Sequence, residues 1–288
     1  MSMYDLYRTP ESGGEPEDGG EVSLLAAPNR CPAATGWAWI PQAFSIFRER
    51  WGMWLLIALI ALLCSLPLSA AEQLLPPEVA WIGSILSFLL SIFLICGMVY
   101  CAASQVENGE LEIGGLFAGF QLKFKEVLVL GLLQFLLILG LLLAVAVPVF
   151  LLFGISFNYA ALSQNWGGLL LAVIIVSILV GLGIVLITWF TPALVMLHDV
   201  SPVRAIGMSF RGGLANLLPL LVYVLALIGL AIAFGLLAAL LGGILPQSLA
   251  LVLMVLLGIP ALLFFSVWNS LVSYVSYLSV WTNAELDG

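Results

Sequence analysis

The hydrophobic positions of this chain are grouped into four long stretches that contain no charged residue. These stretches cover residues 51–71, 79–106, 127–197 and 212–284. A helix needs about 20 predominantly apolar residues to cross the hydrocarbon core of a bilayer, so the first two stretches hold one span each. Each of the last two is long enough for two spans and is broken near its middle, at 154–168 and 241–248.

Six transmembrane helices follow from this pattern. They are predicted near residues 52–71, 79–104, 127–153, 168–195, 214–241 and 249–281. Composition agrees, because the chain is 63% hydrophobic and only 8% charged, whereas about a quarter of the residues in a soluble domain are charged. The predicted fold class is therefore all-α, a polytopic membrane protein with a six-helix domain at 36–283 and a short cytoplasmic C-terminus at 284–288.

The beginning of the chain has a different composition. Residues 1–30 contain six acidic residues against Arg8 and Arg30, with many glycines and prolines. Such a segment cannot bury enough apolar surface to fold alone, so residues 1–35 are predicted to be a disordered acidic tail. The segment also lacks the basic start and short apolar core of a cleavable signal peptide.

The basic residues predict the orientation of the helices. All eight lie in the tail, before the first helix, or in the loops after the second and fourth helices. Because lysine and arginine accumulate on the cytoplasmic side of membrane proteins, both termini are predicted to be cytoplasmic. The basic residues nearest the membrane are predicted to face lipid or a partner; they are Arg48, Arg50, Lys123, Lys125, Arg204 and Arg211.

Three of these basic segments resemble one another. They cover residues 41–56, 114–129 and 204–219 and align on a shared phenylalanine. Each has apolar residues at helical spacing beside basic residues, a pattern typical of an amphipathic helix that lies in the headgroup plane. Each then continues into an odd-numbered transmembrane helix. The predicted unit is one interfacial helix plus a transmembrane hairpin, repeated three times.

The only histidine, His198, raises the question of catalysis. It lies beside Asp199 after the fourth helix, but adjacent side chains point in different directions on a helix, and neither Gly-x-Ser-x-Gly nor His-Glu-x-x-His occurs. With one histidine and no second ligand cluster, no zinc site is expected. Ser201 suits a helix N-cap and Pro202 a first helical residue. We therefore predict no catalytic residue, no metal and no cofactor, and a protein that is not an enzyme.

Three segments of the chain resemble a known family. The segments "GWAWIPQAFSIFRERWGMW", "GGLFAGF" and "DVSPVRAIGMSFRGGLANLLPL" are similar to a family of uncharacterised bacterial six-helix inner-membrane proteins. A similar motif occurs in the membrane-anchor domains beside some glycerophosphodiester phosphodiesterases. The residues that carry it here are Asp199, Ser201, Pro202, Ala205, Ser209, Asn216 and Pro219. The resemblance covers about residues 35–283 and implies six helices in a bacterial inner membrane, without an established activity.

Few polar side chains are expected inside the spans. A charge at mid-bilayer costs at least about 2.5–3.5 kcal/mol, and none is predicted here, which argues against proton- or sodium-coupled transport. The sixth helix has a polar face that is either a water-lined path or a helix-packing surface. Its residues are Ser266, Asn269, Ser270, Ser273, Ser276 and Tyr277.

Small residues and prolines add two further expectations. Small residues at four-residue spacing predict close packing within the bundle or between copies; they are Gly83, Ser87 and Ser91 in the second helix and Ala231, Gly235 and Ala239 in the fifth. Prolines within the predicted spans each free a carbonyl and permit a kink or break; they are Pro67, Pro148, Pro192 and Pro260.

Two classes of function remain open from the sequence. The first is a non-catalytic accessory or assembly factor that acts through its helix bundle and basic cytoplasmic segments. The alternative is a small transporter or channel for a neutral or lipid-like solute, lined by the polar face of the sixth helix. The predicted partners are membrane lipids, with another membrane protein or a second copy of the chain left open, and no nucleic acid is expected.

Overall fold

A computed structural model describes residues 23–149 and 166–284. In chain order its helices are α1 (Thr35–Glu49), α2 (Trp51–Leu74), α3 (Pro77–Asn108), α4 (Ala118–Gln121), α5 (Phe124–Val149), α6 (Trp166–Thr188), α7 (Thr191–Leu197), α8 (Pro202–Ala215), α9 (Leu217–Ile244) and α10 (Gln247–Trp281). A 3₁₀ segment, Ile113–Phe117, precedes α4. Within these ranges, the only strand-like pairing is one antiparallel bridge between Leu24 and Thr282.

Six helical stretches in the described part of the chain are long and apolar enough to cross a membrane. They are formed by α2, α3, α5, α6 together with α7, α9 and α10. The six predicted helices and the all-α fold class are therefore confirmed. The predicted break at 241–248 is reduced to Leu245 and Pro246 between α9 and α10, and most of the break at 154–168 lies outside the described residues.

A break between α6 and α7 interrupts the fourth span. Pro192, in the first turn of α7, lacks the N–H group that would continue the helix. Ser209 of α8 bridges the break, because its hydroxyl donates to the Leu186 carbonyl at 2.9 Å and accepts the Phe190 amide at 3.2 Å. The other prolines lie inside continuous helices; they are Pro67, Pro148 and Pro260.

The packed core lies at one end of the bundle. We call this the basic end, because α1, α8 and the described basic residues are located there. Its largest fully buried side chains include Trp39, Trp54, Trp281, Tyr223, Tyr274 and Tyr277. The opposite, distal end is open, because a long apolar stretch of α9 is 0% buried inside the protein. Lipid tails are as apolar as these side chains, so the distal helices need no mutual packing.

The N-terminal segment before α1 is bonded to the end of α10. The Leu25 amide donates to the Trp281 carbonyl at 2.9 Å, and the Asn29 amide to the Val280 carbonyl at 2.8 Å. The predicted disordered tail at 1–35 is therefore wrong for this segment, because the acidic residues all precede it and Leu24 is buried. Residues 1–22 and 285–288 lie outside the described residues, so the rest of that prediction remains a prediction.

The three predicted interfacial segments differ in their structure. The first and third contain full helices, α1 and α8, whereas the middle one forms the 3₁₀ segment and the single turn α4. Its glycines disfavour a long helix. The segment also lies very close to α3, because a Cβ atom on Gly97 of α3 would lie 1.8 Å from the Leu116 carbonyl oxygen. The threefold repeat itself stays a prediction.

Candidate functional site

Lys123 anchors the junction between α4 and α5 to the loop before α8. The side chain is buried, and its ammonium group donates to the His198 carbonyl at 2.7 Å and to the Asp199 carboxylate at 3.1 Å. Asp199 is 85% exposed, so the ion pair contributes little, and the buried bond to the carbonyl is the stronger anchor. The prediction that Lys123 faces lipid or a partner is therefore wrong, because the segment that contains Lys123 packs against the loop that contains His198 and Asp199.

His198 is buried between this loop and α10. Its Nε2 atom is hydrogen-bonded to the Tyr277 hydroxyl. Burial, and secondly the nearby charge of Lys123, lower the pKa of His198 to about 3, against the opposing effect of Asp199. The ring is neutral near pH 7. A pKa this far below neutrality suits proton transfer at physiological pH poorly, because an efficient general base has a pKa near the operating pH.

Glu107 is the unexpected member of this region. It lies at the end of α3, and both carboxylate oxygens are buried without a hydrogen-bond donor among the described residues. It lies close enough to Tyr274 and Tyr277 to interact electrostatically. Glu107 lies one residue from the end of α3 rather than at mid-span, so the prediction that no charge lies at mid-bilayer stays a prediction. We call Glu107, Lys123, His198 and Tyr277 the buried polar cluster.

A separate network beside this cluster is fully satisfied and therefore structural. The Gln105 amide group donates to the Ile46 carbonyl at 2.8 Å and to the Glu49 carboxylate at 3.0 Å, while its oxygen accepts the Trp54 indole N–H at 2.8 Å. These bonds join α1 and α2 to the end of α3. They fix the position of α1 without leaving a group free for a ligand.

Arg50 also has a structural role. Its guanidinium donates to the Gly109 carbonyl at 2.6 Å, just beyond the end of α3. Gly109 adopts a left-handed conformation with φ of 68°, which glycine tolerates and which commonly ends a helix. A cation at this position also interacts favourably with the helix dipole. Arg50 is thus engaged with the protein, although its side chain is exposed.

The other predicted basic residues lie on the surface beside exposed apolar side chains. We call this surface the interfacial rim, and its residues come from three segments of the chain. They are Trp37, Phe44, Arg48 and Trp51 in the first segment, Phe120, Leu122, Phe124 and Lys125 in the second, and Val203, Arg204, Phe210, Arg211 and Leu214 in the third. Aromatic and aliphatic side chains next to cations are typical of surfaces that sit at the boundary between lipid tails and headgroups.

Three serines of the predicted polar path are engaged in helix packing. Ser273 donates to the Trp189 carbonyl at 2.7 Å, and Ser276 accepts the Trp189 indole N–H at 2.8 Å. Ser270 contacts the sulfur of Met98 at 3.5 Å. All three serines are buried. These contacts favour the packing interpretation of the polar face over the path.

The two remaining path residues do not extend a buried polar surface. Ser266 is exposed and donates to the carbonyl of Leu263 in its own helix at 2.8 Å. Asn269 is exposed as well. The solute path along this face stays a prediction, and no contact among the described residues requires such a path.

The family-like motif fastens separate parts of the fold together. Asn216 is fully buried, accepts the Cys31 amide at 2.8 Å and donates to the Asn29 carbonyl at 2.8 Å. Pro219 lies so close to α1 that a Cβ atom on Gly36 would stand 2.0 Å from its carbonyl oxygen. Both residues thus hold the N-terminal segment and α1 against α9.

Helix α8 begins at the position predicted from the sequence, but the expected side-chain contact at its N-terminus is absent. Ser201 is the N-cap residue and Pro202 begins the helix, as predicted. The Ser201 side chain makes no capping hydrogen bond. Asp199, which lies two residues before the N-cap, is paired with Lys123.

Sequence reasoning missed Glu107, and it named Tyr277 only on the polar face of the sixth helix without its contact to His198. One signal could have located the first, because a glycine commonly follows the end of a helix, and Gly109 therefore places the end of α3 at Asn108. No local signal brings Tyr277 to His198, since the two residues are far apart in the chain and only the tertiary fold joins them.

Comparisons with known protein families, with curated proteins and with solved structures returned no match. The resemblance to bacterial inner-membrane proteins therefore stays a prediction. The geometry of the described residues identifies the chain as a multi-pass helical membrane protein with a buried polar cluster and an exposed interfacial rim at the same end.

Proposed function

We propose that this protein is a non-catalytic accessory protein of the bacterial inner membrane, which holds a partner membrane protein at the cytoplasmic interface through its interfacial rim. The observation that carries the proposal is the rim itself, in which exposed apolar side chains stand beside Arg48, Lys125, Arg204 and Arg211 on a firmly packed base. The cytoplasmic orientation is part of the proposal and follows from the positive-inside rule.

The charges of the rim support attachment rather than chemistry. Each lysine or arginine close to an anionic membrane surface contributes about 1 kcal/mol of attraction. The rim has four such residues in three separate segments, so it can orient the basic end on the membrane. The exposed apolar side chains then offer a partner a contact surface at a defined depth.

The test is recovery of the partner from native membrane. The protein is extracted in polymer nanodiscs, and every protein retained with it is quantified by mass spectrometry. Arg211→Glu should reduce the partner roughly tenfold, equivalent to about 1.4 kcal/mol of lost affinity. Arg30→Glu is the matched control, because Arg30 is also exposed and basic but lies outside the rim. A wild-type sample without a stoichiometric partner, or equal loss in both variants, would contradict the proposal.

One observation favours the alternative, a transporter. A buried carboxylate without a hydrogen-bond donor is costly, and buried acids in membrane proteins commonly mark ion pathways. Glu107 is such a group. In this second candidate function the carboxylate exchanges a proton with the cytoplasmic side during transport, whereas the sequence argued against proton-coupled transport and favoured a neutral or lipid-like solute.

Proteoliposomes test this candidate with protons as the probe. Under an imposed potassium diffusion potential, a trapped pH dye reports proton uptake by the wild type. Glu107→Gln should abolish the uptake, whereas Glu110→Gln should leave it unchanged, because Glu110 is an exposed acid in the following loop. Wild-type vesicles that take up no more protons than empty vesicles would exclude proton movement through Glu107.

A further inference from the structure

A lateral apolar groove opens between α9 and α10. Its outer part has a volume of about 350 Å³ and is lined by residues of both helices, including Gly235, Ala238, Gly258 and Ala261. The lining residues recur at helical spacing on each helix, so each presents one continuous face to the groove. The groove is therefore a gap between two helices that are neighbours in the chain.

The groove continues from α9 and α10 onto α1 and α2. Its inner part has a volume of about 370 Å³ and is lined by Phe47, Trp51 and Leu55 on the side of α1 and α2. The outer and inner parts share the lining residues Phe234 and Ala261, so they lie next to each other on the protein surface. Its inner end reaches the junction of α1 and α2 at the basic end.

Small residues keep the outer part of the groove open. A Cβ atom added to Gly235 or Gly258 would meet no heavy atom within 4 Å. The small-residue face of α9 was predicted to pack closely within the bundle or between copies, yet at Gly235 it borders empty space. In contrast, the corresponding face of α3 is packed, because a Cβ atom on Gly83 would lie 2.7 Å from the Glu72 side chain.

The shape of the groove selects a thin occupant. Only Leu245 and Pro246 separate α9 from α10, so the two helices stay adjacent. A third helix with side chains is about 10–12 Å across, and a groove of about 350 Å³ is too small to hold one. An acyl chain is narrow and entirely apolar, and the residues that line the groove are likewise apolar.

A cation lies beside the inner part of the groove. Arg48 directly follows the lining residue Phe47 in the chain, near the junction of α1 and α2, and its side chain is exposed. It forms no ion pair with another described residue. A guanidinium at this place is suited to a phosphate group, which it can bind through two parallel hydrogen bonds.

We infer that the groove is a binding site for an anionic phospholipid, with an acyl chain between α9 and α10 and the phosphate group at Arg48. The inference shares Arg48 with the interfacial rim but does not require the proposed partner, because its acyl-chain site is the lateral groove. A lipid in this position would connect the open distal helices to the firmly packed basic end.

Native mass spectrometry of the detergent-purified protein, mixed with phosphatidylglycerol or phosphatidylcholine, tests the site. Gly235→Leu fills the groove and should reduce phosphatidylglycerol occupancy roughly tenfold. Gly229→Leu is the matched control, because Gly229 is also exposed and open on α9 but does not line the groove. Arg48→Gln should remove the preference for phosphatidylglycerol over phosphatidylcholine.

Gly258→Leu fills the same groove from the opposite helix and should repeat the loss, so the test does not depend on one variant folding. Equal phosphatidylglycerol occupancy in the groove variants and in Gly229→Leu would overturn the inference. So would a wild-type dimer that either groove variant dissociates, because the groove would then be the contact of a second copy.

Discussion

At the scale of single residues, the buried polar cluster should be sensitive to substitution. A polar side chain that is buried must keep its partners, because an unpaired one costs its full desolvation free energy. Lys123 and His198 both satisfy this requirement by bonds to groups that are distant in the chain. Their substitution therefore affects the contact between whole segments.

Lys123→Met should lower the free energy of unfolding by roughly 1.5–3 kcal/mol, the usual contribution of a hydrogen bond from a charged group. The substitution removes the donor to the His198 carbonyl, which then has lost its buried partner. Lys125→Met is the control, since Lys125 is exposed on the same segment. Denaturant titration in detergent micelles measures both, and equal stability of the two variants would argue against a buried anchor.

Acid should destabilise the fold through His198. Its folded-state pKa is about 3, below the value near 6.5 of an unperturbed histidine. Between these values the unfolded chain binds a proton that the folded chain does not, so the stability is complete above pH 6.5 and is lost as the pH falls. The loss is about 1.4 kcal/mol for each pH unit.

The free energy of unfolding, measured from pH 7 to pH 4, checks this sign. The wild type should lose stability faster than His198→Gln, whose side chain does not titrate. Parallel curves for the two proteins would show that the histidine ring is not the group that responds.

At the scale of elements, the apolar runs predicted every transmembrane helix because helix length in a membrane is set by bilayer thickness. Helix ends were less predictable. Gly109 is a local signal that could have located the end of α3, whereas the break before α7 needs Ser209 from another helix to satisfy its freed groups. The short middle interfacial segment likewise depends on its contact with α3.

Gly97→Ala should test that contact. The new methyl group would collide with the Leu116 carbonyl oxygen, and overpacking of this kind costs about 1–3 kcal/mol or more. Gly52→Ala is the matched control in α2, where the added Cβ atom meets nothing within 4 Å. Thermal unfolding in nanodiscs should therefore separate the variants, with the control at or above the wild type because alanine favours helix. A stable Gly97→Ala protein would mean that the 3₁₀ segment is not pressed against α3.

At the scale of the whole molecule, the packed basic end joins the two described ends of the chain. The Ser23 amide donates to the Asn283 side chain at 2.8 Å, next to the bridge between Leu24 and Thr282. Both described ends consequently lie on the same side of the bundle. Two chain ends on the same side of the bundle are expected when the chain crosses the membrane an even number of times.

Disulfide formation should report this proximity in membranes. In a chain without its native cysteines, Ser23→Cys with Asn283→Cys should form an intramolecular disulfide under mild oxidation, detected by mass spectrometry. Ser23→Cys with Leu245→Cys is the control, since Leu245 lies at the distal end between α9 and α10. A disulfide in the control pair, or none in the first pair, would contradict the observed arrangement.

The sequence by itself determined the membrane class, the six helices and the location of the basic residues, because bilayer thickness and charge exclusion act on local composition. Only the tertiary structure decided that Lys123 is buried, that Glu107 lacks a donor, and that His198 meets Tyr277. These outcomes depend on contacts between segments far apart in the chain. The open groove between α9 and α10 has the same origin, since small residues can line either a contact or a gap.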